Sequence, residues 1–389
     1  MRHIIQKTLP AFFALAALSL GCSKPEPELE ADFEKYKEAL KTESSETDAW
    51  IAENITKPYN IDVIWRYTDT ETDYGYNIIP PYQENVVPFM KVLDDVFIKS
   101  YIDIYQNSRL FAHPGDFIRT YVPKQIHLLG EWAYGDNGVR KLGQAEGGRK
   151  IILYGINYWQ DTEQLGRFLH TMFHEFSHIL HQNKLYPETY EKVTPEGYTA
   201  QWFNPQDDEG LRFKISREQG FVSDYARMNK DEDFVETLTY YLVLSDEGWN
   251  QLLGEIDGSE KAKEAAETAK NEGKTEEEQQ QIAQATAVAT TNSARAALRE
   301  KQSIINDYLK SSWDIDFDQL HSIVQSRMTA AFGNLDSYVG PRAAGSGLTA
   351  IDKYVLQYGM TGEVPGAIIS EFTCDGAHEH LKYEGVNQQ

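Results

Sequence analysis

The chain has 389 residues, 41% of them apolar and 12% aromatic, which is enough to bury a large core and excludes a disordered or collagen-like chain. Its 60 acidic and 37 basic side chains give a formal net charge of −23, which argues against nucleic acid as a partner because phosphate binding needs a basic surface. Two cysteines cannot make a disulfide framework.

Residues 1–21 read as a secretory signal. A basic start (Arg2, His3, Lys7) precedes an apolar run, 9–20, that is too short to span a bilayer. The run ends in Ser19-Leu20-Gly21-Cys22, which resembles a bacterial lipobox. That likeness implies that Cys22 is the lipidated first residue of the mature chain and anchors it to a membrane. Residues 22–45 are charged and poor in aromatics, as suits a tether.

A folded body is expected over 46–389. Alternation over 61–67 predicts a strand, 87–105 has helical apolar spacing, and 125–133 and 150–159 are strand candidates. The last of these could form the edge of a cleft and pair with an extended peptide. A long helix follows at 162–184, where Asp161 can cap the first turn with Gln164 three residues on. Residues 254–299 are rich in Ala, Glu, Lys and Gln, and no aromatic residue lies between Trp249 and Tyr308. This stretch predicts an inserted helical hairpin that turns near Asn271-Glu272-Gly273, with 304–328 packing back on the body. Together the elements predict an α+β fold.

The segment that carries chemistry is His174-Glu175-Phe176-Ser177-His178. Two histidines four apart on a helix point the same way and can share one Zn²⁺. The intervening Glu175 is then placed to take a proton from water at the metal. Leu165, Phe168, Leu169, Met172, Phe176, Ile179 and Leu180 gather on one side of this helix. His170, His174, His178 and His181 gather on the other, as expected if the helix backs onto a core and offers its His face to a cleft. On this reading His170 is a surface or hydrogen-bonded residue, and His181 contacts a metal-ligating side chain or the substrate. A catalytic zinc needs a third protein ligand and an open position. The candidates lie in Tyr225–Glu236, where Glu232 and Glu236 sit one turn apart, so that one can bind metal and the other can accept a hydrogen bond from a ligating histidine.

The run Tyr225-Ala226-Arg227-Met228-Asn229-Lys230-Asp231-Glu232-Asp233-Phe234-Val235-Glu236, taken with His174-Glu175-Phe176-Ser177-His178, resembles the gluzincin metallopeptidases, in particular the catalytic domain of anthrax lethal factor. The resemblance implies a zincin-like metallopeptidase domain in which Glu232 is the third ligand. It further implies that Glu236 hydrogen-bonds a ligating histidine and that Tyr225 donates to the developing oxyanion. Asp233 departs from the pattern, which has an aromatic residue there, and makes Asp233 a minor competitor for the metal.

Over its wider span the chain is similar to the substrate-import-associated zinc metallohydrolase lipoproteins of Bacteroidetes. The likeness rests on the lipobox, Trp50-Ile51, Lys57-Pro58-Tyr59-Asn60-Ile61, His174 to Gln182, and Glu232 to Glu236. It implies an outer-membrane lipoprotein that acts on a peptide or protein substrate, beside a TonB-dependent importer. Two rival readings are a zinc hydrolase of a non-peptide amide and a non-catalytic lipoprotein that captures ligands. Retention of Glu175 favours the enzyme, because a pure binder has no need of it.

Overall fold

The structure is a computed structural model that describes residues 45–66, 79–108, 110–134, 140–141, 143–146, 149–202 and 208–339. The signal, Cys22 and the tether up to residue 44, together with Cys374, lie outside the described residues. The chain divides into two units, Met1–Glu46 and Thr47–Gln389, and the second is described below. No helix of the described residues is long and apolar enough to cross a membrane.

The fold is mixed α and β, mostly helical around a small sheet. Its strands are β1 (Asp62–Ile64), β2 (Gln125–Leu128), β3 (Ala133–Tyr134), β4 (Arg140–Lys141), β5 (Gly143–Glu146) and β6 (Lys150–Leu153). Its main helices are α1 (Gln83–Leu93), α2 (Thr162–Asn183), α3 (Glu209–Glu218), α4 (Lys230–Val243), α5 (Asp246–Glu255), α6 (Ser259–Asn271), α7 (Glu276–Trp313) and α8 (Phe317–Gly333). α1 continues through a π-helical stretch, Asp94–Ile98, into Lys99–Ile104, close to the expected 87–105.

The main sheet has the order β1-β2-β6-β5, with β1, β2 and β6 parallel and β5 antiparallel to β6. Ile126, His127 and Leu128 of β2 and Ile151, Ile152 and Leu153 of β6 are all buried, so each strand reads as a continuous run rather than an alternation. The expected strand over 150–159 is thus an inner strand of four residues, β6, and the outer strands among those described are β1 and β5. Two residues past the end of β6, Gly155 turns the chain with φ +80°, and a Cβ there would meet the Trp132 ring at 2.3 Å. The chain then turns through a 3₁₀ segment, Ile156–Tyr158, into α2.

Asp161 caps α2 by accepting from the backbone N–H groups of Glu163 and Gln164 at 2.9 and 3.1 Å. The apolar side of α2 packs against the α1 extension. Phe97 meets Phe173 and Phe176 edge-on at 5.3 and 5.4 Å, and Tyr101 meets Phe176 at 4.8 Å. Gly143 of β5 lies against Thr171 of α2, where a Cβ would come within 2.3 Å of the threonine methyl. This close approach brings that outer strand alongside the histidine helix.

α6 and α7 occupy the expected helical region, joined through a turn at Gly273 with φ +78°. A capping box between Thr275 and Glu278 starts α7. α7 does not stop at Arg299 but runs unbroken to Trp313. Its first half is mostly exposed, and its second half buries Leu298, Ile305, Tyr308, Leu309 and Trp313. α8 follows and buries Leu320, Val324 and Met328, so the region 304–328 packs on the body.

Candidate metal centre

α2 presents His174 and His178 one turn apart, and α4 crosses the same face. The start of α4 is set by Asn229, whose side-chain oxygen accepts from the N–H groups of Asp231 and Glu232 at 2.8 and 3.0 Å. Glu232 therefore sits in the first turn, where the exposed N–H groups of the helix favour a carboxylate. His174 Nε2 and His178 Nε2 lie 3.2 Å apart, and each is 3.3 Å from Glu232 Oε2. Ligand bonds of about 2.0–2.1 Å at tetrahedral angles put neighbouring donor atoms roughly 3.3 Å apart, so this triangle fits a zinc ion. The side chains of His174, His178 and Glu232 are 10%, 15% and 14% exposed, which leaves the cluster reachable from solvent.

A second layer orients the histidines. Glu236, fully buried and one turn beyond Glu232, accepts from His174 Nδ1 at 2.8 Å and from His170 Nε2 at 3.1 Å. Its other oxygen accepts from the Ser223 hydroxyl at 2.7 Å. Burial pushes the Glu236 carboxyl up, but the hydrogen bonds from His170 and His174 outweigh it and hold the group at about 2. In the same way the bonds from His174 and His178 hold Glu232 well below the usual carboxylate range despite burial. Burial lowers the His174 imidazolium, yet hydrogen bonds to Glu232 and Glu236 raise it well above its ordinary value. The site thus keeps two carboxylates ionised and favours a cation between them. His178 Nδ1 lies 3.0 Å from His181 Nε2, and burial next to His178 keeps His181 down at about 4.

His170, His174 Nδ1 and Glu236 form a second group of donor atoms near one another. His170 is 1% exposed and Glu236 0%, so this group offers no open position for water. Its short contacts are also satisfied as hydrogen bonds. His170 is therefore buried and bonded to Glu236, not a surface residue. The histidine side of α2 packs against α4, with His170, His174 and His181 buried and His178 partly exposed.

Glu175 projects from the same turn of α2, and burial raises its carboxyl above the usual range. The Tyr225 ring stands 6.1 Å from that of His174 and meets Trp202 edge-on at 4.9 Å. The turn that carries Tyr225 is held by Asp224, which accepts from Arg212 Nε at 3.0 Å and from the Tyr225 N–H at 2.9 Å. Asp233 points away from the cluster and pairs with Lys301 Nζ at 2.7 Å, both side chains fully buried. Its role as a competitor for metal is thereby replaced by a structural ion pair. No motif signals Ser223 or Trp202, and each reaches the site only through tertiary packing.

A family described as "Putative zinc-binding metallo-peptidase" matches residues 40–318. A crystal structure of a putative zinc-binding metallo-peptidase from Bacteroides caccae is similar to this chain, with 27% identity and a TM-score of 0.54. The match covers 74% of this chain and 93% of that one. No curated protein matches the chain.

Proposed function

The chain belongs to this family of putative zinc-binding metallo-peptidases, and on that premise we propose that it hydrolyses peptide bonds with a zinc ion held by His174, His178 and Glu232. The observation that carries the reading is the triangle of Nε2, Nε2 and Oε2 atoms at 3.2–3.3 Å. When bound, zinc supplies Lewis acidity that acidifies water and polarises a carbonyl. Glu175 takes the proton of the attacking water and passes it to the leaving amine, and its raised pKa suits both tasks. The Tyr225 hydroxyl donates to the oxyanion as charge develops on it. Glu236 keeps the His174 ring aimed and its proton on Nδ1. Of the two outer strands, β5 runs beside α2 and is the place where an extended peptide adds a strand.

We further propose that Cys22 bears a lipid that anchors the enzyme at the outer membrane beside a TonB-dependent importer, from the Ser19-Leu20-Gly21-Cys22 sequence. Digestion of a peptide library tests the activity. The zinc-loaded chain should cleave peptides, while the chelated chain should not. Library peptides left intact by the zinc-loaded chain, with an amide of another class hydrolysed, would move the reading to a different acyl substrate.

A further inference from the structure

His174 and His178 are oriented by unlike partners: a fully buried carboxylate for one and an imidazole for the other. With His178 Nε2 turned toward His174 and Glu232, the ring proton of His178 sits on Nδ1 and needs an acceptor. The group 3.0 Å away is His181 Nε2. An imidazole nitrogen accepts along a single in-plane lone pair, so this bond fixes the His181 tautomer and the planes of both rings. We infer that His181 is a positioning residue that aims His178 at the zinc, an inference that rests on reading His178 as a ligand.

The surroundings of His181 support the role. Its ring is 5% exposed and is held edge-on by Tyr186 at 5.6 Å and Phe234 at 6.1 Å. Tyr186 lies flat on Phe234 at 4.2 Å, and its hydroxyl donates to Asp231 at 2.5 Å. Asp231 and Phe234 flank Glu232 on α4, so one brace sets both the partner of His178 and the helix turn that carries Glu232. A residue that served only to fill this space would do so equally well as an apolar side chain. A residue that aims His178 must keep an acceptor.

Chelator competition on the full chain separates these cases. His181→Phe and His181→Met, which remove the acceptor, should weaken zinc binding about 10–100-fold with the far-UV spectrum unchanged. His181→Gln, whose side-chain carbonyl can accept, should bind within roughly threefold of the parent. Parent-like binding by the Phe and Met variants, with zinc lost from His178→Ala, would overturn the role of His181 and leave the zinc site standing. Equal weakening in Gln, Phe and Met would also overturn it, because the acceptor would then not matter. Zinc retained in full by His178→Ala would overturn both the inference and the ligand assignment.

Discussion

Replacing Glu236 by glutamine asks how much of the zinc affinity comes from the charge behind His174. The carboxylate takes N–H bonds from His170 and His174 on one oxygen and the Ser223 hydroxyl on the other. A glutamine of the same shape can keep its carbonyl toward the histidines, while Ser223 rotates to accept from the amide. What disappears is the negative charge that makes His174 Nε2 a stronger donor to the metal. The expected loss is about tenfold in zinc affinity, or roughly 1.4 kcal/mol. Glu236→Ala also leaves two buried N–H groups without their acceptor, and should approach 100-fold, or about 2.8 kcal/mol. Competition with a metal chelator at neutral pH measures both. Binding by both variants within about twofold of the parent would refute this account of His174, because such removals usually cost at least tenfold. A Glu236→Ala chain with an empty site, beside a Glu232→Ala chain that keeps its zinc, would move the ligand one helical turn.

Glu175→Gln should retain stoichiometric zinc and lose peptide hydrolysis by about 10²–10⁴-fold, measured as turnover of a cleaved library peptide. Lys301→Met should destabilise the chain by about 3–5 kcal/mol in chemical denaturation, since it strands the buried Asp233 carboxylate. The double variant Lys301→Met/Asp233→Leu should recover most of that loss, and a double variant as unstable as the single one would show that the ion pair is not the cause. Cys22→Ser should shift the protein from the membrane to the soluble fraction on cell fractionation.

The histidine pair was legible because helical spacing alone puts residues 174 and 178 on one face, and Asp161 marks where that helix begins. Helical period also grouped His170 with them, but it could not say what covers that face. Burial of His170 comes from α4, whose Glu236 lies 66 residues further along the chain. Strand β5 had no signal at all. Gly143-Gln144-Ala145-Glu146 has neither apolar alternation nor β-branched side chains, and it is a strand because β6 pairs with it. The stretch 150–159 reads as one strand because its residues stay apolar, whereas Gly155 breaks it with a left-handed turn. The Asp233–Lys301 pair spans 68 residues, and each partner alone looks like an ordinary surface charge. Likewise, nothing local distinguishes the end of the Ala- and Glu-rich region from the start of a packed helix, because α7 runs through that boundary without changing conformation.

The identity of the metal centre is tested most directly by a crystal structure of the zinc-loaded chain with anomalous data collected at the zinc edge. One peak per chain is expected, bonded to His174 Nε2, His178 Nε2 and a Glu232 carboxylate oxygen at about 2.0–2.2 Å. A peak lying instead among His170, His174 Nδ1 and Glu236, or no peak from a fully folded chain, would contradict it.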